Sequence, residues 1–174
     1  MGYTTTFDGV FQLDRPLSPA HRAYLEAFSR TRRMQRNEWL TKKLPDPIRE
    51  AALLPVGLSG AYYVGSTYDF GQAHTPDIID YNHPPFGQPG LWCQWIPTSN
   101  ASGIKWDGKE KFYDYTEWLQ YLLDNFLKPW GYVLGGEVTW QGEDSDDRGT
   151  IHVKDNRILE VADVVISPEP NWGK

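Results

Sequence analysis

Residues 103–161 carry three successive patterns that leave few folds open to this chain. Asp107 and Glu110 stand three apart ahead of an apolar run, the spacing of a capping box. There one side-chain oxygen accepts from a free backbone N–H while the second acid reaches back. From Glu110 to Leu127 the apolar residues Phe112, Tyr115, Leu119, Leu122, Leu123 and Phe126 recur every three or four positions, which predicts an amphipathic helix. Lys128 suits the negative end of that helix, and Pro129 stops it. Tyr132, Leu134, Val138 and Trp140 then alternate as a strand, with Gly135-Gly136 read as a bulge. Gly149–Lys154 and Arg157–Val165 follow as two more strands. They join at Asp155-Asn156, residues that tolerate positive φ in a tight hairpin. With a strand ahead of the helix at 103–106, the segment spells strand, helix and three-strand meander.

The first half adds less regular material. Thr4–Leu13 alternates as a half-buried strand, and Ser18-Pro19 is an N-cap followed by proline at the first helical position. That helix is expected to run to about Arg36 with Tyr24, Leu25 and Phe28 on one face. Pro45, Pro47 and Pro55 limit the stretch from Trp39 to Leu54 to a short helical turn. Ala61–Val64 and Leu91–Ile96 are candidate short strands. Between them, residues 65–90 hold Pro76, Pro84, Pro85 and Pro89 with four glycines, a loop long enough to be functional or mobile. The expectation is one α+β domain over residues 1–166: a mainly antiparallel sheet of about five to seven strands with two principal helices packed on it. Residues 167–174 are expected to fray. At 174 residues the chain is long enough to bury a substantial core.

Charge and aromatic content matter for function. The net charge is −6, but residues 1–60 carry nine Lys/Arg against six Asp/Glu, whereas residues 61–174 carry eight against seventeen. Aromatic residues make up 14%, with 8 Trp, an excess that suits either a core or a binding surface. The lone Cys93 excludes an intramolecular disulfide and fits a reducing compartment. No apolar run approaches a membrane span, and the first residues lack the basic and apolar regions of a signal peptide. The expected setting is cytoplasmic, without a membrane partner. Gly2 and Thr6 fit a myristoylation pattern only weakly.

No nucleophile elbow, zinc-protease motif, phosphate-binding loop or dinucleotide fingerprint occurs, and Cys93 lies mid-strand with no local activating group. No catalytic residue and no cofactor is expected. Three other constellations bear on function. His74, Asp77, Asp80 and His83 recur every third residue and could hold a divalent metal, although Pro76 and Pro84 rule out a continuous helix beneath them. Arg30, Arg32, Arg33 and Arg36 with Trp39 could grip phosphates and stack on bases, or form a solvated helix end. Nucleic acid is the less expected partner because the whole chain is acidic. Lastly, Tyr113, Trp118 and Tyr121 stand off the centre of the helical stripe. Beyond Trp140, Glu143, Asp144, Asp146 and Asp147 form an acidic loop. Its spacing is reminiscent of a calcium loop, but Arg148 occupies a ligating position and strands flank it. Off-stripe aromatics beside acids suggest an anchor patch for a protein partner.

The segments FDGVFQLDRPLSPAHRAYLEAFSRTRRM, QPGLWCQW and IKWDGKEKFYDYTEWLQYLLDNFLKPWGYVLGGEVTWQGED resemble small uncharacterised proteins encoded by bacteria and bacteriophages. The resemblance implies a bacterial or phage origin and a single domain, and by analogy action on a host protein. It implies no activity, cofactor or site residue. The leading expectation is therefore a non-catalytic binding protein. The alternatives are a metal-dependent enzyme at the 74–83 loop and nucleic-acid binding through residues 30–49.

Overall fold

A computed structural model describes residues 2–65 and 75–163. Alternation in the sequence becomes a six-stranded antiparallel sheet of order β4-β5-β1-β6-β7-β8. Here β1 is Thr6–Leu13, β4 Trp95–Pro97, β5 Gly103–Trp106, β6 Leu134–Gln141, β7 Arg148–Lys154 and β8 Arg157–Ala162. At its centre β1 pairs with β6, from Thr6 opposite Gln141 to Leu13 opposite Leu134. Phe11, Leu13, Leu134, Val138, Trp140, Ile151 and Val153 are buried on one face, while Asp8, Gln12, Glu137, Thr139, His152 and Lys154 stay exposed on the other. This is the one-sided covering that antiparallel sheets permit.

Two principal helices supply the cover. In α1, Pro19–Arg30, the Ser18 side chain accepts from His21 N–H and the helix buries Tyr24, Leu25 and Phe28. The second, α4, spans Tyr115–Leu122 and passes into a π turn at Leu123–Leu127, where the Lys128 N–H reaches the Leu123 carbonyl. The wider turn brings Leu122, Leu123, Phe126 and Leu127 together into the core. The α+β architecture thus matches the expectation, six strands falling within the anticipated range.

Several local expectations do not hold. The helix begins at Tyr115, not Glu110, because Lys111 and Asp114 adopt left-handed backbone (φ 60° and 55°) that no α-helix accommodates. Asp107 instead closes a turn by accepting from Lys109 N–H at 2.9 Å. Gly135-Gly136 forms no bulge: β6 keeps unbroken register with both neighbours. Gly136 sits opposite Phe11 with φ 111°, a conformation glycine adopts readily. Helix α1 stops at Arg30, and Ala61–Val64 is irregular. The second strand candidate shifts to β4, while Asp155 and Asn156 make the expected positive-φ hairpin turn.

Residues 31–65 and 75–91 form an irregular flank holding the helices α2, Glu38–Thr41, and α3, Pro47–Ala51, and the small pair β2, Gln35–Arg36, with β3, Ile78–Asp80. Charged side chains lie inside this flank. Arg36 Nη1 donates to Asp77 at 2.7 Å, with both side chains almost wholly buried. Asp77 also accepts from Thr41 at 2.7 Å and from Thr75. Asp46 accepts from Arg49 at 2.7 Å and from the backbone of Gly65 at 3.0 Å.

Candidate binding cleft at the start of the second principal helix

The left-handed residues that delay α4 also shape a cleft. Lys111 and Asp114 fold residues 110–114 back toward the segment 90–94, and between them lies a recess of about 440 Å³ backed by Trp118. This volume falls in the range of small-ligand or side-chain pockets. Trp92 is half-buried in its wall, and Tyr113 is exposed. Two buried polar atoms of the lining residues have no hydrogen-bond partner among the described residues: Trp118 Nε1, a donor, and Gln94 Oε1, an acceptor. Gln94 is oriented by its other end, where Nε2 donates to the Glu110 carbonyl at 3.2 Å. Leaving such an atom unpaired costs about 1–3 kcal/mol, so an orphan donor and an orphan acceptor around one recess call for an explanation.

A Cβ at Gly90 would stand 3.6 Å from Asp114 Oδ2 and 3.7 Å from Trp118 Nε1, at ordinary van der Waals distance from both. Asp114 makes no side-chain cap for α4, although its carbonyl accepts from Trp118 N–H at 2.8 Å. Partial burial, and then the nearby Glu117, push the Asp114 carboxyl above its ordinary value. The cleft's outer wall is tied to the acidic loop. Tyr113 Oη accepts from Tyr3 N–H at 3.2 Å, Tyr3 Oη donates to Asp147 at 2.5 Å, and Thr4 N–H donates to Glu143 at 2.7 Å.

The expected aromatic patch is therefore partly brought together and partly dismantled. Trp118 is 0% exposed, packed edge-on against Phe28 and Tyr121, so it is no surface anchor. Helix α4 is covered on more than its stripe because the 86–94 segment and α1 enclose its flank. Tyr121 is half-buried; its hydroxyl accepts from Gln88 Nε2 at 2.9 Å, and burial pushes the phenol up to about 12. It borders a separate groove beside Leu58, Phe86 and Glu117. Tyr113 is drawn to the 143–147 loop through Tyr3. Glu143 and Asp147 are occupied in holding residues 3 and 4, while Asp144 and Asp146 remain exposed.

The basic candidates separate. Arg33 and Arg36, 2% and 3% exposed, are core residues and cannot reach a phosphate; the solvated helix end is corrected on the same ground. Arg33 donates to Gln88 Oε1 and to the Ala61 carbonyl, with its guanidinium over the Phe28 ring. Arg32 is held by the Tyr81 carbonyl at 3.0 Å. Arg30 is exposed at the end of α1, and Trp39 is 73% exposed. The metal candidates do not converge either. Asp77 is committed to Arg36, Asp80 accepts a 2.6 Å contact from His83 at the surface, and His74 lies outside the described residues. Among the described residues no three His, Cys, Asp or Glu side chains gather as metal ligands would. Burial pushes the Cys93 thiol up to about 12, which disfavours a thiolate nucleophile.

The chain matches no family model, no curated protein and no solved structure. Among the described residues no helix is long and apolar enough to cross a membrane. Gly90, Gln94, Lys111 and Asp114 were not legible as site residues. Only the Asp114 position, directly ahead of the run YTEWLQYL, carried a usable sign: an acid at a helix start.

Proposed function

We propose that this protein is a non-catalytic binding protein whose recognition site is the cleft between residues 90–94 and 110–114. The observation that carries the reading is the recess of about 440 Å³ walled by Trp92, Tyr113 and Asp114, with Gln94 and the buried Trp118 behind it. Nothing in the cleft pairs a nucleophile with a base, which supports recognition over chemistry. The off-stripe aromatics that suggested a protein partner retain a role, Trp118 from behind the cleft and Tyr113 at its outer wall. Action on a host protein in a bacterial or phage setting belongs to the same proposal and is supported by sequence resemblance alone.

Selection from a random-peptide display library tests the reading. Peptides retained by the wild-type chain and weakened by Gly90→Ala, whose added methyl stands beside Asp114 in the wall of the recess, are the expected outcome. Enrichment of nothing, or of peptides indifferent to Gly90→Ala, would remove the cleft as the site.

A further inference from the structure

We infer that a second copy of this chain covers the irregular flank. About a two-fold axis, a knob formed by Trp39 with Lys42 and Lys43 on each copy seats in a groove beside Leu58 and Phe86 of the other. Trp39, at 73% exposure, stands on the short helix α2 with Leu40 beside it, and Lys42 Nζ lies 6.0 Å from the Trp39 ring centroid. The mount is rigid. Asn37 caps α2 by accepting from the N–H groups of Trp39 and Leu40 at 3.0 and 3.2 Å, and Thr41 ties the far end to the buried Asp77. A ring held in water on a fixed support loses little freedom when a partner covers it. Tryptophan is also the residue type that most often anchors protein interfaces.

The groove lies on the same side of the molecule. Phe86, 80% exposed, and Leu58, 60% exposed, border a cavity of about 500 Å³ with Tyr62 and Tyr121. It is open to an incoming side chain: a Cβ on Gly87 in its lining would meet no atom within 4 Å. Glu117 and Asp124 line it too. Asp124 is shared with Lys128 at 2.8 Å, while Glu117, Lys42 and Lys43 are exposed without an ion pair among the described residues. Ring to apolar wall and ammonium to carboxylate, the knob of one copy answers the groove of another. A polyanion would suit the lysines but not the acids beside them. Knob and groove are also neighbours: α2 packs against the Leu58–Gly60 turn, where a Cβ on Gly60 would come 2.8 Å from Arg36 Cβ. One two-fold rotation therefore seats both, and the assembly closes at a dimer. Trp39 and Phe86 contribute about 150–250 Å² each. The interface thus reaches only about 1,000 Å², and a weak dimer is expected.

Sedimentation velocity of the full-length chain from about 1 to 500 µM tests this. A concentration-dependent shift from monomer to dimer is expected, with Trp39→Ala raising the dissociation constant at least about tenfold. Lys42→Glu/Lys43→Glu and Glu117→Lys should each weaken the dimer as well. Their equimolar mixture should regain it, because each knob of the mixed dimer then faces a groove of opposite charge. Every change is at an exposed side chain, so thermal melts should match wild type. A chain that stays monomeric over the whole range overturns the inference, and the flank then faces a different partner. Dimerisation indifferent to Trp39→Ala, or growth beyond the dimer, overturns it too. If the mixture associates no better than either charge variant alone, the lysines do not meet Glu117 and the arrangement falls.

Discussion

The six-stranded sheet and the irregular flank at residues 31–65 and 75–91 are packed against the same helices, yet they are held by different forces. In the sheet, apolar side chains alternate onto one face, and the inner strands β6 and β7 pair their backbones on both sides. In the flank there is little regular pairing, and order comes from buried ions: Arg36 with Asp77, Arg49 with Asp46, and Arg33 gripping backbone and amide oxygens. Buried ion pairs add little net stability over an apolar replacement, because desolvation offsets the attraction. They do make the structure intolerant of losing one partner. The flank should therefore be brittle toward single substitutions and responsive to pH, whereas the sheet should answer mainly to volume.

The sharpest contrast comes from Asp77→Ala, which removes the buried carboxylate shared by Arg36, Thr41 and Thr75 and is expected to cost about 3–5 kcal/mol in urea unfolding. The double replacement Arg36→Met/Asp77→Leu should recover most of that loss. If the single change costs under about 1 kcal/mol, the flank is not held by its ions. Next is Gly149→Ala in the sheet. A Cβ there would overlap the Trp140 ring and the Val161 carbonyl oxygen, so a loss of about 1–3 kcal/mol from overpacking is expected, with no pH dependence.

Acidification separates the regions in another way. Burial alone would raise the Asp77 carboxyl, but hydrogen bonds from Thr75, Thr41 and Arg36, with the Arg36 charge, hold it below its ordinary 3.8. Its contribution is therefore complete above pH 3.8 and disappears as pH falls through the lower folded value. His21 stacks on Trp130 at 3.8 Å, and burial, then Arg15, lowers its pKa from the ordinary 6.5. Its neutral form belongs to the folded state, so stability should begin to fall as pH drops below 6.5, and His21→Gln should remove that early phase. A stability profile measured from pH 8 to 3 that stays flat in both variants and wild type would contradict the assignment. The smallest effect expected is about 1 kcal/mol for Ser18→Ala, which removes the 3.3 Å cap of α1 and can be read by thermal melting.

The same contrast explains what could be read from the sequence. The alternation of β1, β6 and β7 and the stripe of α4 follow from side-chain periodicity, which survives without knowledge of the fold. The Asp-Asn turn was legible because few residues accept positive φ. Arg33 and Arg36 were not, since charge in a sequence signals solvent unless the distant partner is known; Asp77 is 41 residues from Arg36. The cleft was hidden for a related reason. Lys111 and Asp114 adopt a backbone that an apparently continuous helical pattern argues against, and Gly90 matters only through what lies across from it. Trp118 was found but assigned to the wrong surface, because the stripe could not reveal that a second layer covers the helix.

Cys93 turns the cleft into its own clock. It is the chain's single cysteine, fully buried beside Gln94, and its thiol is held protonated by burial. An alkylating reagent can reach it only during excursions that lift this wall away from the core, so the labelling rate counts those openings. A ligand seated against Gln94 should lengthen the interval between them, and the interval can be timed by mass without any assay of function.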